Sequence, residues 1–398
     1  MISSHRGSPH TESSARPTGG ARELRALLWL FLRLGVTAFG GPAVHIAMME
    51  DEVVRRRRWL TTDEFLALLG ATNLIPGPNS TEMALHIGRE RAGWRGLLVA
   101  GVAFILPAAL ITGGLAWMYV RYGSLPAAGG VLQGVKAVVV AVLAQAIWRL
   151  APAAAKTMVL RLLGLAATVA AAFGVNELLL LALAGVVTAG WHRVTARSAS
   201  AIFAIGPLAT GSGLSALAVS AAAPFSLIGL FLVFAKIGAV LYGSGYVLLA
   251  FLRSDLVERL HWLTEAQLLD AVAIGQVTPG PVFTTATFIG YVLGQGAGAV
   301  VATVAIFLPA FGFVALSGVL LPHLRRSPAV RAFLDGVNVA SLALMAVVSL
   351  RLARSAIVDG STATIGLASA ALLWRFNVNS TWLILGGALA GGVVTALR

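Results

Sequence analysis

The chain is interrupted twice within long apolar stretches, at Asn73-Leu-Ile-Pro-Gly-Pro-Asn-Ser-Thr81 and, 203 residues later, at Gln276-Val-Thr-Pro-Gly-Pro281. Proline lacks an N–H and clashes with the preceding turn, so a helix stops at each segment. Unwound backbone survives inside a membrane only where protein or water satisfies it. Broken segments at corresponding places in two halves are typical of a transporter site. The alternative interpretation is a pair of ordinary surface turns.

The composition favours a polytopic α-helical membrane protein. Of the 398 residues, 58% are hydrophobic and 11% are charged, whereas soluble domains carry about 25% charged residues. Period-two alternation is not dominant, which argues against an outer-membrane barrel. The net charge is +13, and the arginines form short clusters between apolar runs, as in cytoplasmic loops. We therefore predict a lipid bilayer, and no nucleic acid, as the partner.

Apolar segments occur in two sets, which predict roughly 10 to 13 spans at about 20 residues per crossing. The organisation predicted from them is a polar cytoplasmic tail at 1–23, a transporter repeat at 24–192, a linker or weak extra span at 193–225, and a second repeat at 226–398. Residues 1–23 lack an apolar signal-peptide core.

The two sets repeat each other. The tripeptide Trp59-Leu-Thr61 recurs as Trp262-Leu-Thr264, and both Pro-Gly-Pro segments keep the same offset of 203 residues. The loop 52–62 contains four consecutive arginines, whereas its counterpart 253–264 is of mixed charge. By the positive-inside rule, one loop of such a pair is cytoplasmic and the other is not. This swap favours an inverted repeat.

The candidate substrate site combines the Pro-Gly-Pro segments with a Gly-rich break earlier in each half. A helix that restarts at Asn79 or Val282 presents free N–H groups and a positive dipole end, which suit an oxyanion. The hydroxyls that follow these starts are either anion donors or helix caps. The predicted substrate-binding residues are Arg33, Gly40, Gly41, Pro42, Pro76, Gly77, Pro78, Asn79, Ser80, Thr81, Lys236, Gly243, Ser244, Gly245, Pro279, Gly280, Pro281, Thr284 and Thr285.

Two basic residues of that set are equivalent at the same offset. Arg33 and Lys236 each lie seven residues before a Gly break, two helical turns away on the same face. A cation in an apolar span usually faces a cavity or a partner. The alternative is a cation that reaches the membrane surface along its own helix. Lys136 is a weaker candidate of the same kind.

Glu82 and His86 are predicted proton-coupling residues. They are four residues apart and therefore share one helix face just after the first Pro-Gly-Pro. A carboxyl group in an apolar span can carry a proton. In the alternative interpretation, Glu82 pairs with Arg89 or the backbone and only holds the helix. The other acidic residues in apolar context are Glu177, Asp270 and Asp335.

Enzyme signatures are absent from the sequence. It contains no phosphate-binding G-x-x-x-x-G-K-[ST] loop, no H-E-x-x-H and no G-x-S-x-G. It also contains no Cys, and Glu82 with His86 is too small a ligand set for a structural metal site. We therefore predict that the protein is not an enzyme and has neither a metal nor a cofactor.

At these residues the sequence resembles the chromate ion transporter family, in its long two-domain type. The matching strings include Phe39-Gly-Gly-Pro-Ala-Val-His-Ile46, the run from Asn73 to Met83, Tyr242-Gly-Ser-Gly-Tyr246 and the run from Thr278 to Gly290. The resemblance implies a secondary transporter that exports chromate across the bacterial inner membrane and confers chromate resistance. Sulfate, a dianion of the same shape, is the family's usual competitor. The second-half Gly-Ser-Gly departs from the first-half Gly-Gly-Pro.

Three other functions stay open on sequence grounds alone. A carrier that takes up sulfate or another oxyanion would need the same kind of site, because both anions are tetrahedral dianions. A membrane enzyme or a structural anchor would need no such site. A homodimer is also compatible with the sequence.

Overall fold

A computed structural model describes residues 20–39, 41–123, 126–197, 224–242, 247–376 and 378–397. Within them the chain is α-helical and contains no strand, as predicted. Most of the predicted tail and of the predicted linker lies outside the described residues, so those two assignments stay predictions.

Fourteen helices are described, seven in each half. The first-half helices are α1 Ala21–Thr37, α2 Pro42–Glu50, α3 Thr62–Thr72, α4 Asn79–Tyr122, α5 Pro126–Ala154, α6 Met158–Ala172 and α7 Glu177–Arg197. The second-half helices are α8 Leu227–Val240, α9 Leu248–Leu252, α10 Glu265–Val277, α11 Thr285–Arg326, α12 Pro328–Ala356, α13 Gly360–Phe376 and α14 Ser380–Ala396. Both α2 and α9 continue into a π-helical turn, Asp51–Arg56 and Arg253–Arg259 respectively.

The repeated Trp-Leu-Thr motif is a helix start. Thr61 accepts a hydrogen bond from the backbone N–H of Glu64 at 3.2 Å, and the Glu64 carboxylate accepts one from the Thr61 N–H at 2.8 Å. Thr264 and Gln267 form the same reciprocal pair in the second half. Each capping box fixes the first residue of α3 or α10 and satisfies two N–H groups that the helix leaves free.

The helices α3 and α10 are too short to cross a bilayer. They contain 11 and 13 residues, or about 17 and 20 Å at 1.5 Å per residue, against an apolar thickness of about 30 Å. The apolar stretches 64–87 and 266–292, each long enough in the sequence to predict one span, are therefore not single spans. Each consists of two short helical pieces joined at a Pro-Gly-Pro segment, as the broken-helix prediction requires.

The helix α4 is a hairpin with limbs 79–91 and 94–122. Gly93, at the turn, has φ +58°. In a straight helix Gly88 and Gly96 would be about 12 Å apart. Instead, a Cβ added to either glycine would collide with the carbonyl oxygen of the other. The limbs thus run antiparallel in close contact through this glycine pair.

The helix α11 repeats the hairpin in the second half. Its turn is at Gln295, which has φ +54°, and Gly290 and Gly298 form the equivalent close pair. Its limbs are 285–293 and 296–326.

The helices form two groups, and each group draws on both halves. The break group comprises α1–α4 and α8–α11, where α1 packs on α4, α8 packs on α11, and α4 contacts α11 across the halves. The bundle group comprises α5–α7 and α12–α14, where α5 packs along α14 and α12 packs along α7. The two halves are therefore interlocked.

Candidate functional site

Each Pro-Gly-Pro segment contacts the other half of the chain in the centre of the break group. The Gly77 N–H donates to the Leu241 carbonyl at 2.8 Å, and the Gly280 N–H donates to the Ala38 carbonyl at 2.9 Å. Each bond joins a Pro-Gly-Pro segment of one half to the residue at the end of the helix that precedes the Gly-rich break of the other. The two bonds are equivalent at the offset of 203 residues, so the halves are related by an approximate two-fold. Within the described residues, the structure thus brings both Pro-Gly-Pro segments to the starts of the Gly-rich breaks.

The helices that leave the Pro-Gly-Pro segments have no side-chain caps. Pro78 precedes α4, and Pro281 precedes the single 3-10 turn Val282–Thr284 that leads into α11. The predicted restarts at Asn79 and Val282 are therefore present in the structure. The first N–H groups of such an uncapped helix have no intrahelical partner and carry the positive end of its dipole. These N–H groups are therefore available to an anion. At the starts of α3 and α10, by contrast, side chains already accept hydrogen bonds from the corresponding N–H groups.

The Glu82 carboxyl group closes the first-half side of this centre. It is completely buried, and neither carboxylate oxygen has a hydrogen-bond partner. It lies so close to Gly77 that a Cβ there would collide with Oε1. Arg89 instead donates to the Val314 carbonyl and, at 3.3 Å, to the Ser317 hydroxyl. The alternative in which Glu82 pairs with Arg89 is thus not seen.

Hydroxyl groups line the same region. Ser80 and Thr81 are buried, and the Thr81 hydroxyl has no hydrogen-bond partner. Thr284 donates to the Pro281 carbonyl at 2.9 Å and accepts from Thr112 at 3.3 Å. Four hydroxyls therefore lie at or next to the two helix starts. Those of Thr112 and Thr284 already donate within the protein, whereas the hydroxyl of Thr81 is left for an oxyanion.

Three further residues adjoin this region. Thr285 donates to the Val282 carbonyl at 2.8 Å, so part of its capacity is used locally. His86 is buried one turn beyond Glu82. His45 is also buried, and its ring nitrogen Nε2 lies 2.9 Å from the Ala38 carbonyl, the same oxygen that accepts from Gly280.

The two predicted cations are held by carboxylates. Arg33 pairs with Glu52 at 3.1 Å, and Lys236 pairs with the equivalent residue Asp255. Further arginines complete the clusters: Arg56 and Arg57 lie 3.2 and 3.3 Å from Glu52, and Arg259, the counterpart of Arg56, lies 2.8 Å from Asp255. Both carboxylates are buried at the π-helical turns. Among the described residues, no hydrogen bond or ion pair joins either predicted cation to a Pro-Gly-Pro segment.

A groove opens beside Arg33. It has a volume of about 530 Å³ and is lined by residues of α1, α2 and the following π-helical turn, including Ala43, Val44 and Ala47. It begins directly after Gly41 and Pro42, so it lies next to the first-half Gly-rich break. Gly40, Gly243, Ser244 and Gly245, which the sequence also placed at the site, lie outside the described residues.

Comparison with known proteins gives the family. Residues 25–190 and 228–392 each match the chromate transporter domain. This chain belongs to the chromate transporter family. It is 34% identical to the chromate transport protein of Cupriavidus metallidurans, over 96% of both chains. It is 31% identical to that of Pseudomonas aeruginosa (98% of this chain and 97% of the relative) and 30% identical to a probable chromate transport protein of Synechococcus elongatus (90% and 91%).

No solved structure matches this family member. The domain matches once in each half, which confirms the two homologous halves. Five stretches of the described helices are long and apolar enough to cross a bilayer, namely Asn79–Tyr122, Gly129–Ala154, Glu177–Val194, Val282–Ser317 and Pro328–Ala356. The chromate transporter homologue is thus a multi-pass membrane protein. In the part of the chain that the structure describes, no three His, Asp or Glu side chains group as a metal site.

Sequence reasoning missed one buried charge cluster of this chromate transporter homologue. Lys136 of α5 forms an ion pair with Asp270 of α10 at 2.9 Å, and the Tyr119 hydroxyl donates to Asp270 at 2.9 Å. Both charged residues had been noted singly as unusual in apolar spans, but their pairing had not been predicted. The sequence signal for this pairing is the presence of one charge of each sign in two otherwise apolar segments.

Proposed function

We propose that this protein exports chromate from the cytoplasm across the inner membrane and thereby confers chromate resistance. Chromate transport is the activity named for its relatives. The observation that supports a carrier site most directly is the reciprocal pair of backbone hydrogen bonds that join each Pro-Gly-Pro segment to the other half. These bonds hold two uncapped helix starts and their hydroxyls around one centre, where a tetrahedral dianion finds N–H donors and positive dipole ends.

The binding residues proposed are the backbone and hydroxyls of 76–81 and 279–285. Arg33 and Lys236 contribute through the clusters that they form with Glu52 and Asp255. In the first cluster three arginines face Glu52 and Asp51, and in the second Lys236 and Arg259 face Asp255. Each cluster thus keeps a net positive charge about two helical turns from its break. That charge raises the local concentration of a dianion in the groove beside Arg33.

Glu82 couples the anion to a proton in this proposal. A carboxylate and a dianion cannot share an enclosed apolar site without one charge being neutralised. Glu82 therefore takes up a proton when chromate binds, and the protonated group donates a hydrogen bond to the oxyanion. One proton then leaves the cell with each chromate, and His86, one turn further along α4, relays it.

The membrane potential supplies the driving force. Moving one charge across 100 mV is worth about 2.3 kcal/mol. A dianion that leaves with one proton carries one net negative charge outwards, which a negative interior favours. The halves are taken as inverted, because the cationic bias of equivalent loops swaps between them. The arginine-rich loop 52–62 and the groove beside Arg33 then face the cytoplasm, where an exporter loads its substrate.

Proteoliposomes that hold the purified protein at a clamped voltage test the proposal. An inside-negative potential should accelerate the outward movement of labelled chromate, and sulfate should compete. Preferred inward movement of sulfate, with no chromate flux under the same potential, would instead identify an uptake carrier. Growth of cells on chromate provides the matching measurement of resistance.

A further inference from the structure

The two halves occupy different positions against the bundle group, although they share one sequence pattern. The second-half helix α10 packs against α5, α12 and α14, whereas its counterpart α3 makes its main contacts with α4. The difference is visible at equivalent residues: Leu66 of α3 is 56% exposed, and Leu269 of α10 is fully buried.

The neighbouring helices differ in the same direction. Val44 of α2 is 39% exposed, while its counterpart Val247 is 3% exposed. The groove beside Arg33 has a volume of about 530 Å³. In the second half, the equivalents of two groove residues, Ala250 and Ser254, instead line a cavity of about 160 Å³ together with residues of α12 and of the loop after α6. Among the described residues, one side of the break group is therefore open and the other is covered.

The Lys136–Asp270 ion pair bridges the two helix groups on the covered side. Lys136 belongs to the bundle group and Asp270 to the break group, and both side chains are almost completely buried. Tyr119, from the second limb of α4, holds the other carboxylate oxygen. The cluster thus ties α10 to α5 and α4 where the cover lies.

The fold itself does not require this pair. At the equivalent positions the chain carries Asn338 in place of Lys136, where one deletion has changed the offset to 202, and Ala67 in place of Asp270 at the offset of 203. The same helix pair on the open side thus has neither charge. Burying two charges costs desolvation energy that only good pairing recovers. Because Lys136 and Asp270 have charged partners only where α10 packs against α5, the ion pair stabilises the packing of the covered side and has no counterpart on the open side.

We propose that the Lys136–Asp270 pair is a latch that sets the resting state of the transport cycle. It holds the second-half side closed and leaves the first-half side open. In the opposite state α3 takes the place of α10 against the bundle group, and Ala67 approaches Asn338. The latch breaks in that state, as expected when one group of helices rocks against another around a fixed site. The inference rests on the carrier function proposed above but not on the identity of the anion.

Cysteine cross-linking tests the latch directly, because the chain contains no native Cys. In the double variant Ala67→Cys/Asn338→Cys, a short bifunctional thiol reagent should link the two positions only in the opposite state. We expect a low yield with the native latch and a several-fold higher yield when Lys136→Asn/Asp270→Ala is added. These substitutions install the residues that the chain itself uses on the open side. Yields are normalised to membrane-inserted protein.

The charge swap Lys136→Asp/Asp270→Lys is the matched control, since it keeps a pair and should keep the low yield. Tyr119→Phe, which removes only a hydroxyl, should give a smaller rise and serves if the neutral variant inserts poorly. An unchanged yield in both Lys136→Asn/Asp270→Ala and Tyr119→Phe would overturn the proposal. So would a charge swap that cross-links as strongly as the neutral variant.

The cross-link is measured without chromate, so the two proposals fail separately. A higher cross-linking yield in Lys136→Asn/Asp270→Ala, together with no chromate flux by the native chain, would support the latch. It would contradict only the proposal that chromate is the substrate.

Discussion

Glu82 is the most unusual residue of the centre. Its carboxyl group is buried against the Gly77 backbone and has no hydrogen-bond partner. If Glu82 carries one proton per chromate, the native protein moves one net charge per cycle. The equilibrium chromate ratio then changes about tenfold for every ~60 mV.

Glu82→Gln should raise the number of net charges moved to two. A glutamine binds chromate without taking up a proton, so the same tenfold change needs only ~30 mV, and the effect of a pH gradient disappears. The chromate flux in proteoliposomes, at several clamped potentials and with and without a pH gradient, measures the number of charges moved and the effect of the pH gradient. The exposed Glu90, on the same limb of α4, gives the control Glu90→Gln, which should behave as the native protein. An unaltered voltage slope in Glu82→Gln would contradict proton coupling through this residue.

Gly280 is a second residue that the centre depends on. Its φ is +85°, and a Cβ there would lie 2.7 Å from the Ala108 Cβ and 3.1 Å from the Gly35 carbonyl oxygen. Gly280→Ala should therefore lower the free energy of unfolding by about 1–3 kcal/mol from backbone strain, with a further loss from the collision. Thermal unfolding in detergent measures the change. Gly312→Ala, in open space on α11, should leave the midpoint almost unchanged, and equal midpoints for the two variants would count against this account.

At this scale, local chemistry was predictable from the sequence and long-range pairing was not. Proline sterics act within one turn, so the breaks and the helix starts at Asn79 and Val282 could be read from the chain. The pairing of Arg33 with Glu52, 19 residues away, depends on how α1 and α2 fold back on each other. The repeat contained a usable signal, since Lys236 and Asp255 are equivalent to that pair.

Among the elements, the hairpins α4 and α11 depend on glycine pairs that allow two limbs to touch. A Cβ on Gly88 would collide with the backbone of Gly96 rather than with a movable side chain. Gly88→Ala should thus separate the limbs of α4 and destabilise the protein by about 1–3 kcal/mol. Gly114→Ala, in the second limb of the same helix with nothing within 4 Å, is the control. Denaturation in detergent and the fraction of monodisperse protein measure the effect, and matching losses in both variants would exclude the proposed cause.

The hairpin turns show which part of the geometry the sequence does not predict. Gly93 suits a positive φ, but its counterpart Gln295 has no such preference and still adopts φ +54°. The tertiary contact between Gly290 and Gly298 outweighs the local cost at that residue. The apolar pattern does predict a boundary at each turn, between the stretches 64–87 and 94–119 and between 266–292 and 297–321, but it does not predict that the two limbs fold back on each other through a glycine pair.

For the whole molecule, the reciprocal hydrogen bonds mean that neither half completes its own centre. In a half expressed alone, the N–H of Gly77 or Gly280 would lose its partner inside an apolar region, at a cost of several kcal/mol. A chain divided between α7 and α8 should therefore assemble when both parts are co-expressed, and each part alone should be degraded. Co-purification through a tag on one part, with protease digestion of membranes, measures this. Equal protease resistance of the isolated and the paired parts would contradict it.

The two homologous halves were predictable, because the ordered matches of Trp-Leu-Thr and Pro-Gly-Pro at one offset indicate duplication. Their interlocking was not predictable. Each half could equally have packed its own α5 on its own α7, and no local pattern distinguishes that arrangement from the observed packing of α5 along α14 and α12 along α7. The repeated sequence pattern also does not predict that one side of the break group is covered and the other open. The charges of Lys136 and Asp270, which the other half lacks, are the sequence feature that differs between the two sides.

The reciprocity of the bonds at Gly77 and Gly280 also bears on how such a chain could arise. A half-length ancestor that self-associated as a symmetric pair would make both bonds with identical copies, before any gene fusion. Once the copies were joined in one gene, each could accumulate its own substitutions without spoiling the other. An ion pair on one face alone is the kind of novelty that a symmetric ancestor could not have evolved.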